Sequence, residues 1–99
     1  MDTMPHLDSF LQTLPATEPP SNLKPSLLAL WHIKKGNWEL AHNIAQDDTS
    51  QMGSWIHALL HLIEGDLSNA QYWFHRAKKP ISSLHQIDTL WLEITQSHF

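Results

Sequence analysis

Apolar residues recur at helical spacing along most of the chain, and the breaks between runs carry the punctuation of helix ends. Leu7, Phe10, Leu11 and Leu14 stand three and four apart, which predicts one short amphipathic helix over residues 4–14. Thr3 is placed to cap it, and Pro5 fits its first turn. The stretch PATEPPSNLKP behind it has four prolines in eleven residues. Proline lacks a backbone donor and its ring obstructs the preceding helical turn, so an extended connector is expected and the first helix becomes an arm able to detach. In LLALWHIKK, strong helix formers run to two lysines in the last turn, with Gly36 placed to end the helix. Asn37 can cap WELAHNIAQ, whose Trp38, Ala41, Ile44 and Ala45 share a face. Residues 47–53 are polar and break the pattern. SWIHALLHLIEG follows, capped by Ser54 and stopped by Gly65, and Asp66 then caps LSNAQYWFHRA. After Pro80, the spacing of Leu84, Ile87, Leu90, Trp91 and Ile94 predicts a closing helix. No stretch alternates as a strand would. The expected fold is therefore all-α with six helices in one domain: an arm and Pro-rich connector over 1–24, a hairpin over 25–48, a second over 54–79 and the closing helix over 82–97.

The two hairpins repeat one another. A shift of 29 residues places Ala29 on Ala58, Leu30 on Leu59, His32 on His61, Gly36 on Gly65, Asn37 on Asp66 and Ala41 on Ala70. Each glycine permits a left-handed helix end, each Asn or Asp starts the next helix, and each alanine lets two helices approach. Gly65-Asp66, Ala70, Phe74, Ala77 and the closing Pro80 resemble the second half of a tetratricopeptide repeat, and Gly36, Asn37, Trp38 and Ala41 resemble a weaker copy; the likeness spans roughly residues 25–80. WIHALLHLIEGDLSNAQYWFHRA is also similar to a group of short uncharacterised bacterial proteins with the same histidine-rich hairpin, from which no activity or ligand follows. The resemblance implies a small tetratricopeptide-like array of two hairpins whose work is binding a protein or peptide segment.

The helix around HALLHLIEGD carries the chemistry of interest. Its apolar residues cover an arc of about 200° at about 100° per residue, leaving His57, His61 and Glu64 as a narrow polar seam. Amphipathicity turns that seam to water, whereas the repeat turns it toward the partner helix. Burial is the expectation, with Asp66, Asn69, Tyr72, His32 and His42 as candidate partners, because an unsatisfied buried polar group costs about 1–3 kcal/mol. Two imidazoles four residues apart can share a metal ion, and Glu64 lies one turn on. A metal or acid-base enzyme centred on His57, His61 and Glu64, assisted by Tyr72 or His42, is thus the rival to a non-catalytic interaction module. A second patch, Asn69, Tyr72, Trp73 and Arg76, would suit a partner's carboxylate or a planar ligand. Its plainer reading puts Trp73 in the core and Arg76 in solvent at a helix end.

Composition narrows these readings. The chain has 99 residues, enough for one core, and no cysteine, so disulfides, thiolate metal sites and cysteine nucleophiles are excluded. Six basic against ten acidic residues give a net charge of −4, which disfavours nucleic acid. No run approaches the roughly 18 apolar residues of a membrane span, and MDTMPHLDSF lacks the basic start of a secretory signal, so a cytoplasmic protein without cofactor is expected. Protonating all eight histidines would carry the charge from −4 to +4, which adds a pH-dependent association to the possibilities. Five tryptophans belong to the core, each needing a place for its N–H. The partner is expected to be a protein or peptide, with homodimerisation as one way to enlarge a two-hairpin surface.

Overall fold

Each apolar run folds as a helix, and the architecture is all-α. The structure, a computed structural model, describes residues 6–99. Its elements are α1 (Leu7–Leu11), α2 (Pro25–Lys34), α3 (Trp38–Gln46), α4 (Gln51–Glu64), α5 (Leu67–Ala77) and α6 (Ile87–Gln96), the last entered through a 3-10 turn at Leu84–Gln86. There is no strand among the described residues. Thr3 and Pro5 lie outside them.

The two glycine turns are the same structure twice. Gly36 sits at φ 84° and Gly65 at φ 83°, in the left-handed region open to a residue without Cβ. At the first turn the Asn37 N–H reaches back to the His32 carbonyl at 2.8 Å and Gly36 to Ile33 at 3.1 Å; at the second, Asp66 reaches His61 at 3.0 Å and Gly65 reaches Leu62 at 3.1 Å. These paired bonds satisfy the last carbonyls of α2 and α4. One turn into each following helix, Ala41 and Ala70 are buried, which keeps the helices close. A third turn of this kind ends α5 without glycine. Lys78 adopts φ 58° while Lys79 bonds the Phe74 carbonyl at 3.0 Å. Because a Cβ disfavours this conformation, Lys78→Gly should stabilise the protein by about 1 kcal/mol, measured by urea unfolding.

Three boundaries differ from expectation. The second hairpin begins at Gln51 and not at Ser54: Ser50 is the cap, its hydroxyl accepting from the Gly53 N–H at 3.2 Å, and Ser54 is a buried helical residue. Gly53 is helical too, and a Cβ there would run into the Asp48 main-chain oxygen, so the loop from Asp47 lies directly on the first turn of α4. Asn37 occupies its cap position without a side-chain cap bond; its amide lies 3.1 Å from His32 Nδ1 instead. Asp66 does cap α5, accepting from the Asn69 N–H at 3.3 Å. The closing segment starts with Ser83 and Gln86 in a reciprocal capping box, and Leu84, expected on the apolar face, is half exposed.

The arm, able in principle to detach or to fold onto its own domain, is docked. Phe10 is fully buried, with its ring centroid 6.4 Å from Trp91 and 6.2 Å from Phe99. Trp31 Nε1 donates to Thr13 Oγ1 at 3.2 Å, and the Lys35 ammonium donates to the carbonyls of Leu14 and Ala16 at 2.6 and 2.9 Å. At the centre lies α4, buried from Gly53 to Leu62 and packed on α5, α3, α6 and α2. Trp31, Trp55 and Trp91 are in the core, and Trp38 and Trp73 pack on its edge. Of their N–H groups, Trp91 donates to the Leu30 carbonyl at 2.8 Å and Trp38 to that of Leu60 at 2.7 Å. Trp55 Nε1 is buried with no bonding partner, while its ring receives the Lys79 ammonium at 4.1 Å.

Candidate functional site

The polar seam of α4 is closed over by α3 and α5. His57 and His61, one turn apart, are 6% and 7% exposed, and their rings lie nearly parallel with centroids 5.0 Å apart. From α3, His42 enters edge-on to both, 4.6 Å from the His57 centroid and 5.4 Å from that of His61. Its Nε2 is 2.9 Å from His57 Nε2. Such a contact needs one ring to carry the proton and the other to offer its lone pair. Two indoles hold the imidazoles in place: Trp38 lies flat on His42 at 4.8 Å, and Trp73, from α5, lies flat on His57 at 3.9 Å. Trp38 is itself tethered to the α4 backbone through its N–H. His61 Nδ1 meets Glu64 Oε2 at 2.9 Å, at the solvent edge.

Burial disfavours charge on two of the three imidazoles. Burial lowers the pKa of His57 to about 4, with His42 and His61 adding to the fall, because a charged imidazolium there would lose hydration beside two other rings. His42 is also lowered, first by burial and then by His61, while Glu64 opposes.

Of the partners expected for the histidines, the structure supplies His42 to His57, while His61 is met by Glu64 of the seam itself. His32 goes elsewhere, its ring edge-on to Trp31 at 5.2 Å and its Nδ1 toward Asn37. Asn69 is taken by Asp66 at the start of α5. Tyr72 and Arg76 are bonded to each other, the guanidinium donating to the phenol oxygen at 3.2 Å on the exposed face. Arg76 also lies 5.4 Å over Trp73. The second patch is therefore the outer side of the seam's own wall. Trp73, weighed from the sequence as part of the second patch or as core, stacks on His57. Its contact with His57 could be sought in the spacing: Trp73 follows Ala70 by three residues and precedes Ala77 by four, on the face of α5 that meets α4.

A separate feature lies between α4, α5 and the segment after Pro80. Leu62 and Ala70 floor a cleft of about 270 Å³, and Leu67, Ile81 and Leu84 ring it. These last three side chains are 48%, 56% and 50% exposed. Placing Leu84 on the inward face of a long closing helix hid this cleft from the sequence. No helix among the described residues is long and apolar enough to cross a membrane.

In comparison with known proteins, no family model, no curated protein and no solved structure matches the chain.

Proposed function

We propose that this chain is a non-catalytic helical-hairpin module, tetratricopeptide-like in its repeated turn, that binds an apolar protein segment in the cleft between α4, α5 and residues 81–85, first of all a second copy of itself. The observation that carries this is the ring of Leu67, Ile81 and Leu84 around a floor of Leu62 and Ala70. Large apolar side chains exposed singly are ordinary, but three around one concave surface form a patch that gains by being covered. Covering a half-exposed Leu or Ile is favourable by roughly 1 kcal/mol, so the three together could drive a weak, reversible association. The acid-base reading has less support, since Tyr72 and Arg76 are bonded to each other outside the seam and Glu64 is held by His61.

Light scattering across a concentration series tests this reading. A monomer–dimer equilibrium is expected, shifted to monomer by Ile81→Glu with Leu84→Glu, while circular dichroism stays helical. A chain that remains monomeric at millimolar concentration, with unperturbed resonances for Leu67 and Ile81, would count against it.

A further inference from the structure

We propose that His42, His57 and His61 together bind one divalent transition-metal cation of the zinc class through three imidazole nitrogens, with Glu64 orienting His61 from outside the ligand shell. This goes beyond the docking reading and does not depend on the cleft.

One ligand nitrogen from each of the three rings falls within 4.8 Å of the others, on two different helices. His57 and His61 supply the one-turn spacing that places two imidazoles on one helix face, and His42 brings the third ligand that the sequence did not locate. Two imidazole nitrogens around a tetrahedral zinc ion stand about 3.3 Å apart, given metal–nitrogen distances of about 2.0–2.1 Å. The 2.9 Å contact between His42 and His57 Nε2 is already close to that separation, and an ion would take the place of the proton these two nitrogens share.

The role of Glu64 follows from which nitrogen it holds. By engaging His61 Nδ1 it leaves Nε2 as that ring's remaining ligand atom. A carboxylate on the far nitrogen of a metal-binding histidine fixes the tautomer and raises ligand basicity. Glu64 therefore acts as an orienting group, which changes the sequence expectation that it joins His57 and His61 as a ligand. Trp38 and Trp73, stacked flat on His42 and His57, restrict ring rotation, so little order remains to be imposed when an ion binds.

The chemistry of the donor set selects the ion. Three neutral imidazoles without thiolate suit zinc, copper(II) or nickel, whereas magnesium and calcium prefer oxygen-rich shells. Without an ion, the seam gathers three buried or half-buried imidazoles with a ligand nitrogen of each within 4.8 Å of the others. One dication satisfies three lone pairs at once, and Glu64 offsets part of its charge.

A second grouping, His61 with Glu64 and Asp66, also brings its ligand atoms within 4.8 Å but is mostly exposed and engages Asp66, the cap of α5. The experiment separates the two. Full-length chain without an affinity tag, stripped with a chelator, is titrated with Zn²⁺ by calorimetry and with Co²⁺ by absorption spectroscopy. One equivalent should bind, with the intense visible bands of tetrahedral Co²⁺, and long-range proton–nitrogen spectra should show His42, His57 and His61 ring nitrogens shifting together. Glu64→Gln should weaken binding roughly 10–100-fold, as loss of an outer-shell partner does, and His42→Ala should weaken it further. Asp66→Asn, which keeps a capping side chain, should leave it unchanged. Should His42→Ala disturb the fold, the ring-nitrogen shifts of the unmutated chain still decide. Absence of stoichiometric binding, or binding lost in Asp66→Asn and kept in His42→Ala, would overturn the proposal.

Discussion

Phe10→Ala should destabilise the protein by about 3–5 kcal/mol, the range for removing a fully buried phenylalanine from a core. A detachable arm would predict almost no effect. The five-residue α1 is far too short to persist alone, so its order derives from docking. Phe10 is the anchor: it has no exposed surface and packs against Trp91 and Phe99. Removing the ring also loosens the register in which Thr13 accepts the Trp31 N–H and the Leu14 and Ala16 carbonyls accept from Lys35. Urea unfolding followed by tryptophan fluorescence measures the loss. A change below about 1 kcal/mol would mean that the arm spends much of its time undocked.

The second large effect is with pH. In the presence of chelator, the chain should lose about 2 kcal/mol of stability between pH 7 and pH 5, before most carboxylates titrate. The sign follows from His57. Its pKa is 6.5 when unfolded and about 4 when folded, so between those values the unfolded chain binds a proton that the native chain refuses. The contribution is complete above pH 6.5 and drains away as pH falls toward 4. His42, His32 and His98 are lowered in the same sense and add to it. His57→Gln should flatten this slope even if it lowers stability at pH 7. Equal unfolding free energies at pH 7 and pH 5 in the unmutated chain would show that His57 is not held neutral in the fold.

The sequence carried the helices and their glycine turns because those depend on neighbours close along the chain. Gly36 and Gly65 have the positive φ that their place after an apolar run demands. The start of α4 was misplaced because Gly53 looks like a loop residue when only periodicity is considered; inside the helix its missing Cβ makes room for the Asp48 carbonyl, a contact with no local signature. The Lys78 turn was hidden for the opposite reason, since a lysine does not advertise a left-handed backbone. At the seam, the spacing of His57 and His61 was legible but their environment was not. An amphipathic pattern cannot say whether water or an indole faces an imidazole, and here Trp38 and Trp73 arrive from the helices on either side. Asn37 is a further case: it stands at a cap position with no side-chain cap bond, and its amide nitrogen meets His32.

The contact of Phe10 with Trp91 and Phe99 joins one end of the described polypeptide to the other. During synthesis the two glycine-linked hairpins can assemble before α6 and Phe99 have emerged from the ribosome, but the arm has nowhere to settle until they do. Its docking is therefore late in the order of assembly, and a ribosome stalled within α6 would hold a nascent chain with Phe10 still exposed to chaperones.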